Sequence, residues 1–281
     1  YSVLIYLLTR IGTLHEAREF VSKRFETAER VARFQEQLDF MLTNLAALGY
    51  LTRSEDGDHV ALTDGIDRLL TFRSVDPLFG VFLVEQLARS SFEEKLIALE
   101  AVLQVPPVIE RHVRIPDLPP GPLQTQVLEP LLIQMGVVIA KVGLGAADEE
   151  EDDGYDALLP PEEEERPPTF PEMLKIVFES RLPAPEPVFV QPKWIGGGVA
   201  DFEGDFYKFV RACDLVKQEG LILRHLLRLV ILAGEFHLLT EDPDYQRIGE
   251  LATQACQRVD PRYTDRFLVQ AAEISKTATT A

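Results

Sequence analysis

Residues 220–236, GLILRHLLRLVILAGEF, constrain the fold more than any other stretch of the chain. Only Arg224, His225, Arg228 and Glu235 in it are ionisable. Leu221, Ile222, Leu223, Leu226, Leu227, Leu229, Val230, Ile231 and Leu232 point in nearly every direction around a helix. A helix that is apolar all round belongs inside a protein. At about 3.6 residues per turn, Arg224, Arg228 and Glu235 share one narrow stripe, with Ile231 between them. Two readings fit that stripe. Either the arginines snorkel out of a core helix or pair with acids, or their line borders a channel for a polyanion.

The chain has 281 residues, room for about two domains, and is 46% hydrophobic, enough for a sizeable core. It opens on the apolar YSVLIYLLTRIG. That segment is too short to span a bilayer and lacks a basic leader or cleavage site. It reads as the cut end of an interior helix in a longer protein with no membrane partner. Cys213 and Cys256 provide no disulfide framework and fit a reducing cytoplasm. The net charge of −18 argues against nucleic acid as a partner. However, residues 148–168 hold eleven acids and one arginine, a local −10, which leaves −8 for the rest. A local basic groove is compatible with that remainder.

The chain reads as mainly α, a winged-helix domain with a small β-hairpin followed by a helical bundle. Thr13 and Glu16 form a capping-box pattern that starts a helix. A longer helix follows over 27–48, where Val31, Phe34, Leu38, Met41, Leu42, Leu45 and Leu48 make one apolar face that Gly49 ends. Residues 50–53 and 59–63 flank a turn at Asp56–Gly57 and read as a hairpin. Residues 1–75 thus have the element order of a winged helix. A helical bundle begins at 76 and runs to 146, with helices over 76–103, restarting near Ser91, and over 124–135. Residues 147–168 have the composition of an acidic, proline-rich disordered loop or linker. The bundle resumes over 169–281. Its glycines 196–198 read as a flexible hinge, because no Gly-Lys-Ser/Thr pattern follows to make a phosphate cradle. Helices are expected over 201–213, 220–236, 245–258 and 262–274, with Asp260–Pro261 breaking the last two apart. Lys193 beside Trp194, the single tryptophan, suggests either a base-stacking pair or a ring that pins a loop to the core.

Chemistry-bearing motifs are sparse. The sequence contains no P-loop, DExH box, CxxC, HExxH or GxSxG. The five histidines lie on separate expected elements, apart from His225 and His237, which stand too far apart along one helix to share a metal. No catalytic residue and no metal site is expected, and a binding or mechanical module fits better than a complete enzyme.

The run Glu219-Gly-Leu-Ile-Leu-Arg224-His-Leu-Leu-Arg228-Leu229, placed after a winged-helix pattern and a bundle, resembles the EGSxIRxxRRLxELL motif. That motif belongs to the C-terminal domain of DExH-box RNA helicases of the superkiller and exosome-cofactor class. Residues 201–215 resemble the short helix that precedes it. Leu62-Thr-Asp-Gly65 through 78–83 resembles the family's passage from winged helix into bundle. Leu227 and Ile231 depart from the motif, and the acidic insertion is unusual, which suits a diverged bacterial member. The resemblance implies a superfamily 2 helicase whose two RecA-like motors precede Tyr1 and bring ATP and magnesium. It makes 220–236 a ratchet-like helix along which single-stranded RNA, or DNA, passes. Arg224 and Arg228 would then contact phosphates or bases, with Glu235 pairing with them. Arg18, Arg30, Arg33 and Arg53 become candidate backbone contacts on the winged helix. A protein-interaction scaffold or winged-helix regulator with no strand passing through it is the alternative, supported by the net charge and the acidic run.

Overall fold

The computed structural model describes residues 1–11, 13–23, 27–54, 58–137, 167–182 and 187–279. Local capping side chains set where many of its helices begin. Helix α1 (Ser2–Arg10) is followed by α2 (Leu14–Ser22), whose N-cap Thr13 accepts from the Glu16 amide. Asp58 holds the same helix end from a distance: its carbonyl accepts from Leu14 N–H at 2.8 Å and its carboxylate from His15 N–H at 2.9 Å. Helix α3 (Ala28–Ala47) starts on Thr27 and buries Leu38, Leu42 and Leu45. It ends before Gly49, at φ +75°, a left-handed conformation that costs glycine nothing.

Strands β1 (Leu51–Arg53) and β2 (Val60–Leu62) pair antiparallel with Leu51 opposite Leu62 and Arg53 opposite Val60. An isolated antiparallel bridge joins Thr13 to His59. The expected Asp56–Gly57 turn and the Gly12 position lie outside the described residues, as does nearly all of the acidic run. Leu51, Ile66 and Leu69 pack with α1 and α3, and this apolar core is continuous with that of the remaining helices.

The helical region expected over 76–103 with a restart near Ser91 is two helices, α5 (Pro77–Gln86) and α6 (Phe92–Ala101), after a short α4 (Ile66–Thr71). Asp76 caps α5, and a full capping box of Ser91 and Glu94 starts α6. Glu94 also accepts from the amides of Leu123 and Gln124, so one buried carboxylate starts two helical segments. Pro107 opens the short α7 (Pro107–Glu110). The helix expected over 124–135 begins as a π-turn at Gln124–Leu128 before α8 (Glu129–Gln134). Pro130 has no N–H for the regular ladder, which accounts for the irregular first turn.

Helix α9 (Phe170–Arg181), unforeseen in the sequence, starts on a capping box of Thr169 and Glu172. The glycines expected as a hinge instead open a helix, α10 (Gly196–Asp201). They are there for contact: a Cβ on Gly197 would lie 2.0 Å from the Trp194 ring, and one on Gly198 2.5 Å from Phe209. The single helix expected over 201–213 is broken by left-handed Glu203 and Gly204, leaving α11 (Phe206–Ala212) separate.

Helix α12 (Glu219–Thr240) outruns its expected limits and stops at left-handed Glu241. It buries Ile222, Leu226, Leu227, Leu229, Leu232 and Phe236, each contributing roughly 1.5–3 kcal/mol relative to exposure. It lies against α13 (Pro243–Val259), and α14 (Pro261–Thr279) follows the break at Asp260. Helix α12 is not sheathed on every side, however: Leu221 and Arg224 are exposed along one edge. Among the described residues no helix is long and apolar enough to cross a membrane.

Candidate functional site

The open edge of α12 carries the charged stripe that helical periodicity places there. Arg224 is exposed and Arg228, one turn on, is half-buried. Both line one open cleft of about 310 Å³ together with Leu221, Gln104 and Pro106. Arg228 donates from Nη1 to the Gln104 carbonyl at 3.1 Å, which holds the guanidinium across the cleft floor. Burial, and then the neighbouring Arg224, pushes the Arg228 pKa down. Two cations one turn apart repel one another, and among the described residues neither forms an ion pair with a carboxylate. The pair is therefore poised to accept an anion.

Arg228 also lines a second cleft, of about 290 Å³, with Gln104, Arg73, Asp76 and Phe189. Glu235 lies two turns beyond Arg228, too far along the helix to pair with either arginine. Its carboxylate instead accepts from the Arg73 backbone N–H. Burial pushes its carboxyl up to about 7 against the pull of Arg73, and Oε2 has no hydrogen-bond partner among the described residues.

Beneath the arginines lies a buried polar cluster that sequence reasoning missed. Glu100 of α6, wholly buried, accepts from the amides of Ile195 at 3.1 Å and Gly196 at 2.6 Å. Its carboxylate thus caps α10, where orphan amides favour negative charge. His225 of α12 presents Nε2 to Glu100 Oε1 at 3.1 Å. Burial lowers the His225 pKa although Glu100 opposes it, and Nδ1 has no partner among the described residues. A neutral imidazole that donates from Nε2 to the carboxylate leaves Nδ1 as the bare acceptor. The signal in the sequence was a lone acid within the apolar run 96–103 and a lone histidine within the apolar run of α12.

The other expected contacts divide by burial. Arg18 forms a surface ion pair with Asp39 on α3, both half-exposed. Arg30 and Arg33 are exposed on α3, and Arg53 is exposed on β1. Lys193 is fully buried, and its ammonium donates to the Gln191 carbonyl at 2.8 Å. Burial pushes its pKa down to about 8 while Glu100 and Glu110 oppose the shift. Trp194 donates from its indole N–H to Asp201 at 2.8 Å and lays its ring against Gly197. The candidate stacking pair Lys193–Trp194 is therefore corrected: the extended 187–194 segment turns both side chains into the core, and the ring pins that segment to α10. No family model, no curated protein and no solved structure matches this chain. Among the described residues no group of three or more histidine, cysteine or acidic side chains is placed to hold a metal ion.

Proposed function

We propose that this chain is the C-terminal accessory region of an ATP-dependent superfamily 2 RNA helicase, guiding single-stranded nucleic acid along α12. The observation that carries the reading is the placing of Arg224 and Arg228 on one open cleft, with no carboxylate among the described residues in an ion pair with either of them. Arginines left unneutralised beside a cleft suit phosphate contacts and base stacking, which hold a strand with little sequence choice. The order α1–α2–α3–hairpin, with Thr13 bridged to His59 beside the two strands, supports a winged helix as the platform that would pack on the motors. ATP and magnesium belong to the RecA-like motors of the same polypeptide in this reading, and this chain contributes positioning and charge. Glu235 is set apart from the arginines and acts on Arg73 instead.

Arg224→Ala combined with Arg228→Ala in the full-length protein is expected to weaken single-stranded RNA binding and unwinding while the fold persists. Unchanged RNA affinity in that double variant would overturn the proposal. An interaction scaffold would bind no labelled RNA at low or high salt, whereas phosphate contacts give a steep loss of affinity as salt rises.

A further inference from the structure

Three clefts on this face share walls. The cleft of Arg224 and Arg228 meets the second at Arg228 and Gln104. The second meets a third, of about 310 Å³, at Asp76, Val188 and Phe189. The third opens against α3, where Gln37, Phe40 and Asn44 form its wall. The shared walls link the three clefts into a chain from α12 to α3, termed the furrow. Residues spaced three and four apart share a helix face, so exposed Arg33 extends the stripe of Gln37, Phe40 and Asn44 beyond the cleft.

Phe189 stands at the join of the second and third clefts. Val188 and Val190 on either side of it pack on the core, while Phe189 itself is 45% exposed. Such alternation belongs to extended backbone. The segment is tied down on both flanks: Val188 N–H donates to Glu179 Oε1 at 2.9 Å, and Gln191 N–H donates to the Ala101 carbonyl at 2.8 Å. The ring is thus held outward over the furrow by its anchored neighbours, so that little ordering remains to be done when a ligand arrives.

We propose that a single-stranded nucleic acid follows this furrow from the arginines of α12 to the arginine face of α3, stacking a base on Phe189 as it passes. The proposal rests on the strand-guiding reading of α12 and extends it to a second contact region. Cations at both ends hold phosphates, and an aromatic ring between them accepts the face of any base. The furrow also gives Arg33 a role in the same track as Arg224, although the two lie on separate helices far apart in the chain.

The test uses the full chain and a fluorescent oligouridylate of about 16 nucleotides, the upper end of the span covered by strand-tracking sites. Phe189→Ala is expected to weaken binding roughly tenfold, the effect of losing one base–aromatic stack. Phe189→Trp is expected to restore it, and Arg33→Ala to weaken binding severalfold. If Phe189→Ala and Arg33→Ala bind as the parent does while the double arginine variant of α12 is weakened, the furrow is overturned and the strand-guiding reading stands. If the parent chain itself binds no oligonucleotide, both are overturned. Photo-crosslinking of an iodouridine oligonucleotide to the unaltered chain is the second measurement. An adduct at Phe189 is expected, and adducts confined to other regions overturn the proposal even if Phe189→Ala fails to fold.

Discussion

His225 Nε2 lies 3.1 Å from Glu100 Oε1, joining α12 to α6 across 125 residues of sequence. The same carboxylate caps α10, so three helices meet on one buried acid directly under the arginine cleft. The shape of the cleft wall depends on that junction.

Glu100→Ala would orphan the Ile195 and Gly196 amides and the imidazole together. Each buried unpaired group costs about 1–3 kcal/mol, so urea unfolding is expected to report a loss of about 3 kcal/mol or more. Glu100→Gln keeps one acceptor and is expected to lose less. A loss below about 1 kcal/mol for the alanine variant would contradict the capping role.

Two glycines are expected to respond in opposite directions. At Gly197 a Cβ would lie 2.0 Å from the Trp194 ring, so Gly197→Ala is expected to destabilise by about 1–3 kcal/mol through overpacking. At Gly234, in the middle of α12, nothing lies within 4 Å of the added Cβ. There Gly234→Ala is expected to stabilise by about 0.5–1 kcal/mol, because helix propensity alone decides. Thermal melts of the two variants check the signs.

Glu235 links stability to pH. Its folded carboxyl titrates at about 7 against an ordinary 4.5, with burial the main cause. Between those values the folded chain binds more protons than the unfolded chain, so stability falls as pH rises through that window. Glu235→Gln is expected to remove this dependence and to raise stability at pH above 7 by on the order of 2 kcal/mol. Denaturant midpoints measured for both chains across the window would refute the assignment if their pH profiles were parallel.

Salt dependence separates strand-contacting arginines from structural ones. If Arg224 and Arg228 each meet a phosphate, replacing either lowers the slope of log affinity against log salt by about one. Arg18, already paired with Asp39 at the surface, is expected to leave the slope unchanged and to alter stability by under about 1 kcal/mol when replaced by alanine. Equal slopes for all three variants would remove the arginines of α12 from the binding surface.

Much of the helical frame was legible because the signals that start helices are local. Thr13, Thr27 and Ser91 each cap a helix through side-chain bonds to backbone only three residues on. Thr169 and Glu172 gave the same signal for α9, but the prolines around them masked it. The arginine stripe was legible too, since helical spacing alone puts Arg224 and Arg228 on one edge. The opposite wall of the cleft was not, because Gln104 and Pro106 come from a segment more than a hundred residues away in the chain. For Lys193 and Trp194 the sequence left base stacking and loop pinning both open for a related reason: composition shows a cation beside an aromatic, whereas burial depends on what the segment packs against.

The sequence by itself determined where the helices capped by Thr13, Thr27 and Ser91 begin, the left-handed stop at Gly49 and the shared edge of Arg224 and Arg228. These depend on bonds and sterics within a few residues. Only the tertiary structure decided that this edge of α12 stays open, that Glu100 reaches His225, and that the glycines at 196–198 form a packed helix start. Those outcomes depend on apolar burial and polar desolvation summed over segments far apart in the chain, and no local pattern encodes such sums.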